Sequence, residues 1–323
     1  MGDFTKIEWA DATLNLWWGC TKVSDGCKFC YAEHLSDGRF KRDNWGPKGH
    51  RTEVKSWRKT LAEISARAKS EGRRLRVFCQ SMSDTFEGPE TCGGYDSENW
   101  ALIQRLQDEL FTAIQEHPEL DFLLLTKRPE NVWTAVHRHD SPDGAGGGHY
   151  WQWPDNLWLG TSVEDQKTAD ERIHYLLDLP AKVRFLSCEP LLGPVDLASV
   201  QHCLSMIHWV IVGGESGDNA RPMHPEWARS LRDQCASAGI PFLFKQWGEW
   251  VPDGKPGDQV LVRMGAGTWC DGLDDFLTGG QRTGFQDGLF VLGRQHMQKV
   301  GKKQAGRELD GETHDGLPEA KGA

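Results

Sequence analysis

A chain of 323 residues, 38% hydrophobic and 26% charged, carries enough apolar material for a sizeable core, either two average domains or one large α/β barrel. Its net charge of −10 disfavours non-specific nucleic-acid binding by the chain as a whole. Residues 1–10 lack a basic stretch followed by an apolar one, and no run reaches bilayer length, which predicts a cytoplasmic protein without a membrane partner.

In chain order, residues 13–18 are a weak strand candidate. Short apolar runs follow at 76–79 (RVFC), 122–125 (FLLL), 157–159 (LWL), 183–186 (VRFL), 209–212 (WVIV) and 241–244 (PFLF). They are short and barely alternate, as expected of parallel strands buried on both faces. Amphipathic helical patterns at 97–116, 166–179 and 225–238 lie between them, the last opening on Pro225 and closing before Gly239. Strand followed by helix, repeated, predicts an α/β fold: a partial or closed parallel (β/α) barrel of about six to seven strands over residues 1–250. Residues 140–148 (DSPDGAGGG) read as an insertion. Residues 251–323 read as an irregular C-terminal extension packed on the barrel, with a hairpin near 289–300.

Polar groups recur after the strands: Ser83 and Asp84, then Lys127 and Arg128, Ser162 and Glu164, Glu189, Glu215, and finally Lys245 and Gln246. In a parallel barrel these ends share one face, where sites are built. Each residue also has a plainer use as a loop or helix-capping hydrogen-bonder, as for Glu164 and Asp165 before a helix. Trp247 and Trp250 suit either base stacking or barrel packing, and His224 before Pro225 suits helix initiation. No Gly-rich loop of the Gly-Lys-Ser/Thr kind occurs.

Nine cysteines is an odd number, which argues against a full disulfide framework. Cys79, Cys92, Cys188, Cys203, Cys235 and Cys270 are scattered, whereas Cys20, Cys27 and Cys30 crowd one loop. Three thiolates on an iron–sulfur cubane leave one iron open to a ligand. The same spacing with His34 also fits a closed Cys3His zinc site. A third feature is the stretch 51–76, with nine basic residues against three acids, read as a solvated helix face or a phosphate-binding surface.

The pattern GC at 19–20 followed by GCKFCYA at 26–32 resembles the radical S-adenosylmethionine (SAM) superfamily, in particular the branch of spore photoproduct lyase. It is more similar still to a phage and bacterial three-Cys-motif family, the phage Gp37/Gp68-like proteins. The segments TKRP at 126–129, GTSVE at 160–164, EPLLG at 189–193, GGES at 213–216 and FKQWG at 244–248 extend the likeness to about residue 311. Six residues separate Cys20 from Cys27 where the superfamily has three, a small cost in loop closure. The resemblance implies a [4Fe–4S] cluster on Cys20, Cys27 and Cys30, SAM as cofactor, and an electron donor. It implies cofactor contacts from Phe29, Ser83, Asp84, Lys127, Ser162 and Glu164. Arg128, Glu189, Glu215, Lys245 and Gln246 would meet substrate, expected to be nucleic acid or a nucleotide approached from the 51–76 side. The alternative is a non-catalytic zinc or iron–sulfur protein that binds nucleic acid or a protein partner.

Overall fold

Seven strands form one sheet, all parallel and in sequence order: β1 (Ala12–Leu14), β2 (Leu75–Cys79), β3 (Leu120–Thr126), β4 (Leu157–Ser162), β5 (Val183–Cys188), β6 (Trp209–Gly213) and β7 (Phe242–Gln246). The sheet curls into a half-barrel flanked by helices. The computed structural model describes residues 5, 7–140, 153–252, 284–286, 289–291 and 297–318; Cys270 and all of the 140–148 insertion beyond Asp140 lie outside them. Helices α1 (Trp57–Glu71), α2 (Glu98–Glu116), α3 (Val132–Asp140), α4 (Gln166–Leu177) and α5 (Pro225–Ala238) make the crossovers, with a 3-10 segment, Leu197–Met206, between β5 and β6.

Local chemistry sets these boundaries. Ser97 caps α2 by accepting from the Trp100 amide, and Asp165 and Thr168 form a reciprocal capping box on α4. Helices α1 and α5 stop at Gly72 and Gly239, whose φ values of 63° and 68° are left-handed. The expected strand at 13–18 is divided. After Leu14 the chain leaves the sheet, because the Leu16 amide donates to Gln80 Oε1 (2.6 Å) and Trp17–Trp18 pairs antiparallel with Thr52–Glu53.

Alternation along the strands builds two cores. Leu75, Val77, Phe122, Leu124, Leu157, Leu159, Val210 and Val212 face the helices. Phe78, Leu123, Trp158, Phe185, Trp209, Ile211 and Leu243 face inward, where Trp9 joins them. The Trp9 ring lies 4.6 Å from Phe78 and 6.3 Å from Trp209, so aromatic side chains fill the lower interior. Each such burial stabilises by about 1.5–3 kcal/mol. The interior is tight at Gly160: a Cβ there would stand 2.3 Å from the Phe185 ring.

The C-terminal segment returns to the open edge of the sheet. The Phe244 amide donates to His314 O (2.9 Å), the Gly316 amide to Phe242 O (2.9 Å), and Trp209 Nε1 to Gly316 O (2.7 Å). Residues 314–316 thus cover edge strand β7, which would otherwise offer unpaired backbone groups. In place of one hairpin near 289–300, Gly284–Gln286 pairs with Leu289–Val291 and Trp250–Pro252 pairs with Met297–Lys299.

Candidate functional site at the mouth of the half-barrel

The loop from β1 to α1 carries Cys20, Cys27 and Cys30, and the C-terminal ends of four strands hold it. From β2, the carbonyl of Ser81 accepts from Tyr31 Oη at 2.7 Å. Beyond β3, Arg128 donates to Thr21 O (2.6 Å) and places Nη1 3.7 Å from Cys20 Sγ. Beyond β4, Glu164 accepts from Ser24 Oγ (2.7 Å) and from the Gly26 amide (3.2 Å). Beyond β6, Glu215 grips Arg221 through Nε (2.8 Å) and Nη2 (2.6 Å), and Arg221 in turn donates to Asp25 O (2.9 Å) and lies 5.2 Å over the Phe29 ring. Gly26 is required by this closeness, since a Cβ would stand 2.4 Å from the Glu164 carboxyl.

Several residues expected to meet ligands take part in these ties. The Asp84 carboxylate accepts from Thr126 Oγ1 (2.7 Å), Arg128 Nη1 (2.9 Å) and the amides of Phe86 and Lys127. Four protein donors saturate it, so it joins β2 to β3 and leaves no lone pair for an amino group. Arg128, expected to meet substrate, is 3% exposed and faces Asp84, Cys20 and Thr21. Glu164, expected to contact a ribose, is 1% exposed and also pairs with Lys127 (3.2 Å) and Arg172 (3.5 Å), which adds to its hold on the loop. Those two cations and the two loop donors hold its carboxyl below the usual range although burial works the other way. Glu215 is committed to Arg221, Glu189 pairs with Lys245 (3.0 Å), and Gln246 donates to Ser216 Oγ (2.9 Å). Trp247 and Trp250 are buried and donate to Glu308 O and Ala220 O, which makes them packing residues.

A smaller set of polar atoms near the strand ends keeps hydrogen-bonding capacity or partial exposure. Ser83 Oγ, Gln80 Nε2 and Gln246 Oε1 are buried atoms without a hydrogen-bond partner. The side chains of Lys127 and Lys245 each keep 20% exposure. Ser162 ends β4 in the buried rim, its carbonyl accepting from Arg172.

The three loop thiols are half-buried. All eight described cysteines are unpaired. Cys27 and Cys30 are close enough to interact electrostatically. Burial pushes the Cys30 thiol up, against amide donors from Glu33 and Ala32 at the start of a helical turn. Burial and the Glu87 carboxylate push the Cys20 thiol far up, with Arg128 pulling the other way. Crowded thiols that already receive N–H donors fit ligation, because a metal's positive charge supplies the compensation that water cannot. Among the described residues no three His, Cys, Asp or Glu side chains converge on one ion, and His34 does not complete a Cys3His set. One tetrahedral zinc with bonds of about 2.3 Å needs sulfurs within about 3.8 Å of each other. A cubane spreads its thiolates over separate corners and tolerates a wider set.

Most of the cations in 51–76, read from the sequence as a solvated helix face or a phosphate-binding surface, have acidic partners. Seven of its nine cations pair with acids: Arg51 with Glu87, Arg58 with Glu109, Arg67 with Glu71, Lys69 with Glu119, Arg73 and Arg76 with Asp11, and Arg74 with Asp121. Arg51 is buried, and Arg73 to Arg76 lie at the start of β2, the rim opposite the cysteine loop. Net charge along a sequence cannot reveal partners brought from elsewhere by the fold. Sequence reasoning also missed Arg221, and gave no role to Tyr31 within the cysteine motif or to Arg51 as the partner of Glu87.

No helix among the described residues is long and apolar enough to cross a membrane. Neither a curated protein nor a solved structure matches the chain. One family model matches residues 4–318, nearly all of the sequence and the whole of the site above, and the chain therefore belongs to the family described as protein of unknown function DUF5131.

Proposed function

We propose that this chain is a radical SAM enzyme in which Cys20, Cys27 and Cys30 ligate a [4Fe–4S] cluster. The observation that supports it is the placement of a three-thiol loop directly after β1, clamped over the C-terminal mouth of a parallel half-barrel. A structural zinc knuckle would have no need of that mouth. Bound there, the cluster would pass one electron from an external donor to SAM and so start hydrogen abstraction from a substrate.

The chain's own residues prepare the site. Arg128 sets a cationic N–H donor beside Cys20, and the amides of Ala32 and Glu33 serve Cys30; both oppose the burial that favours the thiol. Ser83, Gln80, Gln246, Lys127 and Lys245 offer donors and acceptors at the mouth for SAM and substrate. The aromatic packing around Trp9 keeps solvent from entering below.

Anaerobic reconstitution followed by iron, sulfide and zinc analysis tests the proposal. About four iron and four sulfide per chain are expected, with absorbance near roughly 400 nm that Cys30→Ala abolishes and Cys203→Ala keeps. Stoichiometric zinc without sulfide would establish the non-catalytic alternative instead.

A further inference from the structure

Next to the cysteine loop the charge is arranged differently from the 51–76 stretch. Lys28, Arg39, Lys41 and Arg42 are exposed, and none makes an ion pair among the described residues. Their neighbours are aromatic rings. The Arg42 guanidinium lies 4.3 Å over Trp18 and 5.4 Å over Phe40, Arg39 lies 5.7 Å over Phe40, and Lys28 lies 5.6 Å over Phe29. The Trp18 and Phe40 rings are 6.0 Å apart. Phe40 is 47% exposed and Tyr31 58%; with Val23 they make three of the seven large hydrophobic side chains exposed among the described residues. Scattered exposed rings mean little, but rings gathered with unpaired cations mark a binding surface.

The surface is built rather than loose. Asn44 is fully buried, accepts from Ser36 Oγ and donates to Trp18 O, His50 O and Thr52 Oγ1. The Gly46 amide donates to Cys20 O at 2.9 Å, tying this segment to the cysteine loop. Across residues 22–48 six cations stand against four acids, Asp25, Glu33, Asp37 and Asp43, a local excess of two positive charges. Asp37 accepts the amides of Asn44 and Trp45, Glu33 pairs with Lys22, and Asp43 is the one acid within 39–48.

We propose that this surface docks single-stranded nucleic acid. Arg39, Lys41, Arg42 and Lys28 meet phosphates, while exposed Phe40 stacks on an unpaired base and Trp18, under Arg42, backs it. A chain of net charge −10 attracts a polyanion only through such a local concentration. Stacking faces favour a single strand, because bases in a duplex already stack on each other. The inference deepens the reading above by naming a substrate class beside Cys30, and it rests on that reading for the chemistry. The binding itself needs no cluster, so the two fail separately.

The test is fluorescence anisotropy of the full chain, without and with reconstituted cluster, against labelled single-stranded DNA and RNA oligonucleotides and a duplex over a salt series. At about 50 mM salt either single strand should bind, with log affinity falling by about 0.7 per phosphate neutralised for each decade of salt. Arg39→Glu, Lys41→Glu and Arg42→Glu together should weaken binding about tenfold or more and flatten the salt slope by about two. Phe40→Ala should weaken binding with the slope unchanged, because a stacking contact releases no counterions. The charge-matched control Lys59→Glu, Lys69→Glu and Lys167→Glu, all exposed cations elsewhere, should stay within about twofold. Unchanged thermal unfolding would show that each variant is folded. No binding to either single strand, equal loss in the control, or a preference for the duplex would overturn the proposal.

Discussion

Arg128 Nη1 donates to Asp84 Oδ2 at 2.9 Å, and the same nitrogen stands 3.7 Å from Cys20 Sγ. One guanidinium therefore joins the strand ends to the cysteine loop. Arg128→Met should cost about 3–5 kcal/mol, because it strands a buried carboxylate. Arg128→Lys should cost less, keeping the charge but losing the fork. Urea unfolding of both variants checks this, and a loss under about 1 kcal/mol for Arg128→Met would show that Asp84 finds other support.

Gly26 and Glu164 should behave as a coupled pair. Gly26→Ala sets a methyl against the Glu164 carboxyl and should cost about 1–3 kcal/mol. Glu164→Ala should destabilise on its own, leaving Lys127 and Arg172 without a shared acid. In the double variant the clash is gone, so the two losses should sum to more than the loss measured. Strict additivity in thermal unfolding would mean the loop does not rest on Glu164.

Asp310 should make attachment of the C-terminal segment depend on pH. Its hydrogen bonds to Arg229 and Arg232 on α5 hold its carboxyl below the ordinary range. A lowered folded pKa means that the stabilisation is complete above the unfolded value of about 3.9 and is lost as pH falls further. Exchange of the Phe244 amide, which donates to His314 O, should accelerate in that acid range after correction for its intrinsic rate. Asp310→Asn should show faster exchange already at neutral pH. Equal protection in both proteins would place the anchor elsewhere.

The half-barrel was legible because it is written locally. Runs such as FLLL and WVIV have no polar alternation, and Pro225 and Gly239 mark helix ends by backbone geometry alone. The rim was legible too, since polar residues after a strand must gather on one face. Their roles were not. Whether Asp84 has a lone pair to spare depends on Thr126 and Arg128, some forty residues away. Whether Arg74 is a free cation depends on Asp121 at the start of another strand. Arg221 gave no signal, because Asp25 and Phe29, from the other end of the sheet, reach it only after the barrel curls.

The antiparallel addition of residues 314–316 to β7 has a consequence for synthesis. As the chain leaves the ribosome, β7 emerges well before its cover, and the nascent sheet carries an open edge during that interval. A chain interrupted before Glu308 would keep that edge for its lifetime, along with an unanswered Trp209 indole N–H, and would join other copies edge to edge.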